Sequence, residues 1–191
     1  TTVTVNKYDI KPIGKNKTVY EAYRGKRHIL NFSNIYPGTN SFSVGVWVKI
    51  GHSHDGIILS TGEQTPVERY WAISSNAASQ NEDFISIRLN SGTGELNAFN
   101  KKNLFDGKWH YIVFVRDKFT NLVKIYIDGI LDSEFYDPTD DISDISNSLN
   151  VGIGNIYEND WFNGNISDIS IFNSVLSDLE VNASYRENYN N

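Results

Sequence analysis

The chain has 191 residues, 17 Lys and Arg against 23 Asp and Glu for a formal net charge of −6, and neither cysteine nor methionine. That length suits one domain with a sizeable core, and the negative balance disfavours nucleic acid and anionic membranes as partners. Disulfide and thiolate chemistry are excluded, and no apolar run approaches the roughly 20 residues of a membrane span, so no membrane insertion is expected.

Residues 1–6 alternate Thr and Val, as an edge strand or an arm does, and 8–17, with Pro12, Gly14 and several Lys, read as a loop. We therefore assign 1–19 to an arm packing on a domain that runs from 20 to 191. Strands are expected at 19–23 and 26–32, around Arg24-Gly25, and a Pro-Gly turn at 35–40. Residues 41–50 form a strong strand pattern, with Phe42, Val44, Val46 and Val48 on one face and Ser43, Gly45, Trp47 and Lys49 on the other. A polar turn follows at 51–56 with His52, His54 and Asp55, then a strand at 57–60, a loop at 61–68 and a strand at 69–74 holding Tyr70 and Trp71. Residues 75–83 contain no apolar residue larger than alanine and are expected to form an exposed, mobile loop. Strands at 84–89 and 95–99 flank a turn.

The stretch 106–129 is the clearest in the chain. Residues 109–116 and 122–127 are rich in β-branched and aromatic residues around a polar linker. Asp128-Gly129 suits the positive φ angles of a two-residue hairpin turn. After a strand at 133–136, the acidic, Ser-rich segment 137–148 reads as an ordered loop. A strand at 149–153 precedes a loop at 154–163 that carries Tyr157, Glu158, Asp160 and Trp161. In 164–172, Ile166, Asp168 and Ser170 alternate with Asn165, Ser167, Ile169 and Ile171, so neither face is wholly apolar. Ser177-Asp178-Leu179-Glu180 fits a capping box and starts the one helix. About a dozen short strands and no helices between them predict an all-β fold, a two-sheet antiparallel β-sandwich of jelly-roll type with a short C-terminal helix.

Five segments, taken in order, resemble the laminin-G-like, concanavalin-A-like lectin superfamily. They are Tyr23-Arg-Gly-Lys-Arg-His-Ile, Asn40-Ser-Phe-Ser-Val-Gly-Val-Trp-Val-Lys, Asp106-Gly-Lys-Trp-His-Tyr-Ile, Lys124-Ile-Tyr-Ile-Asp-Gly-Ile-Leu and Phe162-Asn-Gly-Asn-Ile-Ser-Asp-Ile-Ser-Ile-Phe-Asn. The resemblance implies an accessory, non-catalytic carbohydrate-binding module of a secreted or surface-associated bacterial or phage protein. Its partner would be an oligo- or polysaccharide, its place extracellular or at the cell surface, and its state a monomer within a larger multidomain chain. A first residue Thr1 and the lack of Met agree with excision from such a chain. The alternative is a protein-interaction or structural sandwich of an adhesin, toxin or phage tail protein, because this fold hosts both uses.

Relatives of this type hold a structural Ca²⁺ with an Asp in the last core strand and backbone carbonyls near the first strands. Asp168 occupies that position, and Glu21 would supply a second carboxylate, as a hard cation needs six to eight oxygens. The chain departs from the pattern at Arg24, where relatives often carry Asp, and a surface role for Asp168 is the other reading.

A sugar site needs an aromatic platform beside hydrogen-bonding side chains. Trp161, in the polar context of Tyr157 and Asp160, is the first candidate, followed by Arg69, Tyr70, Trp71 and Arg88, then His54 and Asp55. Trp109 falls at a core position of the family and is expected to be structural, as is Trp47. No strand places two carboxylates on one face as retaining glycosidases require, and neither a Gly-x-Ser-x-Gly elbow nor a His-Glu-x-x-His site is present. His52 and His54 could face the same way and hold zinc, but an exposed turn is the simpler reading. The chain is not expected to be an enzyme, although it would suit an accessory domain of a glycoside hydrolase.

Overall fold

The computed structural model of the chain describes residues 20–22, 28–31, 38–51, 56–61, 69–77, 83–142, 148–152 and 162–189. The arm expected over 1–19 lies outside them. The described residues form twelve strands and one helix: β1 (Tyr20–Ala22), β2 (His28–Asn31), β3 (Phe42–Lys49), β4 (Gly56–Thr61), β5 (Tyr70–Ala77), β6 (Asp83–Asn90), β7 (Glu95–Phe99), β8 (Trp109–Asp117), β9 (Leu122–Ile127), β10 (Ile130–Tyr136), β11 (Ser148–Val151), β12 (Gly164–Phe172) and α1 (Asp178–Tyr189). They build two six-stranded antiparallel sheets. The first has the order β1-β12-β3-β8-β9-β10 and the second β2-β11-β4-β5-β6-β7.

The main core lies between the sheets, where alternate residues of each strand meet. β3 sends in Phe42, Val44, Val46 and Val48, β8 sends Ile112 and Phe114, and the second sheet answers with Trp71, Ile73, Ile85, Ile87 and Leu89. Phe42, Trp71 and Phe114 touch in pairs, with ring centroids 5.3 to 6.0 Å apart. Such pairs add about 0.5–1.5 kcal/mol each beyond the area they bury.

A second apolar cluster closes the outer face of the first sheet. Trp47, Tyr111, Val113, Val115 and Tyr126 pack under Leu176 and Val181, and Trp47 stacks on Tyr185 of α1 at 5.6 Å. Tyr111 lies across Gly45, where any side chain would collide with its ring, and its hydroxyl meets Ser184 Oγ at 2.9 Å. Burial pushes the Tyr111 phenol up to about 12. The capping box forms as expected: Glu180 N donates to Ser177 Oγ at 3.3 Å and Ser177 N donates to Glu180 Oε2 at 2.7 Å.

The ambiguous alternation of 164–172 has a physical answer. β12 bulges between Ser167 and Ser170 against β3, with Asp168 at a positive φ of 50°. The extra residue shifts the phase, so Ile166, Ile169 and Ile171 all enter the core. At the other clear turn, Asp128 and Gly129 take φ of 53° and 80°, as a tight hairpin demands.

Two expectations are corrected. Residues 75–77 belong to β5 and 83 opens β6, so only 78–82 of the supposed loop lie outside the described residues. Ser74 pairs with Ser86 and Ser75 with Ile85; ladder hydrogen bonding compensates for the missing apolar side chains. Trp109, expected in the core, is 37% exposed. It pairs with Lys49 at the margin of the first sheet, and the neighbouring His110 is the buried residue.

Strand β8 is fastened near both ends by a basic side chain held between acceptors. Near its end, Arg116 and Asp137 are both fully buried and meet at 2.8 Å. Arg116 also donates to the carbonyls of Gly38 at 2.9 Å, Thr139 at 3.2 Å and Asp140 at 2.5 Å. Lys118 Nζ donates to Thr139 O at 2.6 Å. Near the start of β8, His110 Nδ1 lies 2.8 Å from Asp128 Oδ2 and Nε2 lies 3.1 Å from Asp106 Oδ1. Asp128 also accepts from the backbone N–H of Tyr111 and from Lys102 Nζ.

Candidate functional site

The outer face of the second sheet is polar. Because β5 turns Trp71 and Ile73 inward, it turns Tyr70, Ala72 and Ser74 outward; β6 likewise presents Ser86, Arg88 and Asn90, and β7 presents Glu95 and Asn97. The strand register sets Asn150, Ser60, Ala72, Arg88 and Asn97 in one row across five strands. At about 4.8 Å per strand the row spans about 19 Å. Tyr70, Asn90 and Glu95 form the adjoining row.

Accessibility is uneven along these rows. Ser60, Ala72 and Ser86 are buried, Arg88 is half-buried, and Glu95 and Asn97 are exposed. The reachable polar groups therefore gather over β6 and β7, above buried Tyr70 and Asn90. Burial and the nearby Glu95 raise the Tyr70 phenol from its ordinary value, against the pull of Arg88 and a hydrogen bond with Asn90. Tyr70 is thus a neutral phenol at ordinary pH. Arg88 offers guanidinium donors, Asn97 an amide that both donates and accepts, and Glu95 an acceptor. That set can bind several hydroxyls at once. Glu95 is the one carboxylate in these two rows, so they hold no acid–base pair.

Of the residues singled out from the sequence, the structure brings Tyr70 and Arg88 together on this face. Trp71 is corrected: it is 1% exposed and sits between Phe42 and Phe114. Neighbours on a strand point to opposite faces, so Tyr70 and Trp71 could not share a surface. Tyr70 is 5% exposed and presents no open ring to stack on. Arg69, at the edge of this region, pairs with Asp141 at 2.6 Å. Trp161, Tyr157, Asp160, His54 and Asp55 lie outside the described residues. Glu95, Asn97 and Asn90 were not singled out, although their alternation with Leu89, Leu96 and Ala98 carries the signal.

For calcium, Asp168 and Glu21 come from adjacent strands, but Glu21 pairs with Asn165, three residues from Asp168. The Asp168 carboxylate accepts from Ser167 Oγ at 3.0 Å. Among the described residues no group of three or more His, Cys, Asp or Glu side chains converges as a metal site. These two carboxylates alone fall short of a calcium shell.

A family model described as the Concanavalin A-like lectin/glucanases superfamily matches residues 25–182. No curated protein matches the chain. Among solved structures, the binding domain of Paraclostridial Mosquitocidal Protein 1 superposes with a TM-score of 0.72 at 12% identity, covering 90% of this chain and 43% of that one. Botulinum neurotoxin type C, described as depending on interaction with two ganglioside molecules to enter cells, gives a TM-score of 0.67 at 17% identity, covering 88% of this chain and 42% of that one. A heptameric SAP-like pentraxin from Limulus polyphemus gives 0.65 at 15% identity, covering 87% and 80%. These identities speak for the fold, and this chain spans about two fifths of the length of the toxin structures. Among the described residues, no helix is long and apolar enough to cross a membrane.

Proposed function

Because the chain belongs to the concanavalin A-like lectin/glucanases superfamily, we propose that it is a non-catalytic glycan-binding module whose ligand meets the outer face of the second sheet over β6 and β7. The observation that carries this reading is the reachable set Arg88, Glu95 and Asn97 above the buried Tyr70 and Asn90. A pyranose offers paired hydroxyls, and this face offers both donors and acceptors held on strands rather than on loose loops. Affinity would be weak, because a few hydrogen bonds must offset the ordering of ligand and side chains. The toxin binding domains and the pentraxin of the same fold support a binding role. We place the module outside the cell, within a secreted or surface-associated protein. A calcium ion at Asp168 would lean mainly on backbone carbonyls; calorimetric titration with CaCl₂ checks it, and absence of heat would dismiss it.

Glycan-array binding followed by calorimetry tests the main reading. Binding should be lost in the Arg88→Ala, Asn97→Ala double variant while its circular dichroism stays that of the parent. No binding by the parent across a broad panel at millimolar concentration would sink it. The same double variant separates a sugar module from a protein-binding one: loss of glycan binding with protein binding intact supports the former, and the reverse supports the latter.

A further inference from the structure

Seven large apolar side chains among the described residues are exposed, and four of them, Leu131, Tyr136, Val175 and Leu179, border one face. That face is the part of the first sheet's outer surface which α1 leaves open, at the ends of β9 and β10. Asp117, Leu122 and Tyr136 form one row there, and Val115, Lys124 and Glu134 the next. Between these strand ends and the segment entering α1 lies a hollow of about 380 Å³, floored by Val115, Tyr126 and Leu176 and rimmed by Asp117, Lys124 and Leu179. Tyr126 is fixed in the floor by donating to Asp178 Oδ1 at 2.6 Å. Leu179 stands beside the hollow, 83% exposed, and Tyr136 is 68% exposed. Exposed apolar residues gathered in this way mark an interaction surface, whereas scattered ones do not.

We propose that this face pairs two copies of the chain about a two-fold axis, Leu179 of each entering the hollow of the other. A two-fold interface must be complementary to itself, so one patch has to carry both the projection and its receptor, and both signs of charge. This patch does. Lys124 stands in the row next to that of Asp117 and Tyr136, with Glu134 directly across the ladder. A partner of uniform charge would meet one of these signs unfavourably, while a second copy turned by half about an axis passing between the Lys124 and the acidic positions sets each sign against its opposite. The pairing is face to face and not by strand addition. β10 is the last strand of its sheet, but it bulges between Leu131 and Ser133, and Asp132 at the bulge accepts the backbone N–H groups of Lys101 and Lys102 at 2.7 and 3.1 Å. A bulged, charged edge resists extension by another strand. The inference is independent of the glycan reading, which concerns the opposite sheet.

Sedimentation velocity on the full chain over a concentration series tests it. The parent should show a concentration-dependent dimer, and Leu179→Glu should shift the dissociation constant upward at least tenfold with an unchanged thermal midpoint. Because the chain has no cysteine, Leu179→Cys mixed with Lys124→Cys should give a mixed disulfide under mild oxidation, well above the yield of Leu179→Cys mixed with Asn97→Cys. A parent that stays monomeric into the millimolar range overturns the proposal. So does a dimer that survives Leu179→Glu, or a mixed disulfide no more abundant than the control.

Discussion

The two ends of β8 are fastened in the same way and with different materials. At one end a guanidinium, charged at every relevant pH, is fully buried against Asp137 and ringed by backbone carbonyls. At the other an imidazole bridges Asp106 and Asp128 near the surface. Arg116 collects separate pieces of chain, from Gly38 to Asp140, that have no ladder of their own. His110 joins the start of β8 to the turn between β9 and β10. The first is a fixed rivet. The second is complete only while the ring carries its proton, because two carboxylates facing both ring nitrogens need two N–H donors, and a neutral imidazole, with one, keeps only one of the two bonds.

The largest effect should come from breaking the rivet. Arg116→Ala leaves the buried Asp137 with only the longer ionic contact to Lys118 Nζ at 3.4 Å and the carbonyls around Arg116 without their donor, and should cost about 3–5 kcal/mol in denaturant unfolding. A loss below about 1 kcal/mol would contradict this account. Arg116→Lys should restore only part of the loss, since an ammonium cannot serve the same fork of acceptors. Next comes Asp128→Asn, which keeps a residue tolerant of φ 53° but removes the charge that accepts from His110, Lys102 and the Tyr111 N–H. We expect about 1–3 kcal/mol, read by the same unfolding curves.

A pH series then separates the two ends. The hydrogen bond to Asp128 raises the His110 pKa above 6.5, against the opposing effect of burial. Its contribution is therefore complete below the unfolded value and is lost as pH rises through the folded one. Burial alone would push Asp128 up, but its hydrogen bonds from His110 and Lys102 prevail and bring it down to about 2. That contribution is present above the usual carboxylate value and is lost as pH falls toward 2. The clasp is thus strongest in mildly acidic solution. His110→Gln should flatten stability between pH 6 and 8, on the order of the histidine range, and leave the Arg116 end unaffected. An unchanged slope would show that His110 is not the titrating group. The smallest effect belongs to Asp106→Asn, which should lower the NMR titration midpoint of His110 only slightly, less than Asp128→Asn does.

The fold was legible because its signals are local. Alternation along Phe42–Lys49, β-branched runs on either side of Asp128-Gly129 and the Ser177–Glu180 box each report their own element. The buried Arg116 was not legible, since its partners lie as far away as Gly38, and nothing local says that a charged residue will be enclosed. The candidate site was read in part. Arg88 and Tyr70 stood out as residue types, but their meeting depends on the register between β5 and β6. Trp71 misled because side-chain chemistry says nothing about which face a strand position takes. Trp109 misled in the opposite sense, as the pattern placed a core residue where the strand is only beginning.

The bulge in β12 sets a rule for how this chain can change length. Ile166 and Ile169 stand three positions apart, and only the extra residue between them lets both enter the core; deleting Asp168 would leave Ile166, Ile169 and Ile171 in plain alternation and pair β12 with β3 without a bulge. Deleting Ser170 instead, between Ile169 and Ile171, would turn everything beyond it from interior to solvent, side chain by side chain. A single-residue deletion is therefore absorbed at the bulge, where the strand carries its spare residue.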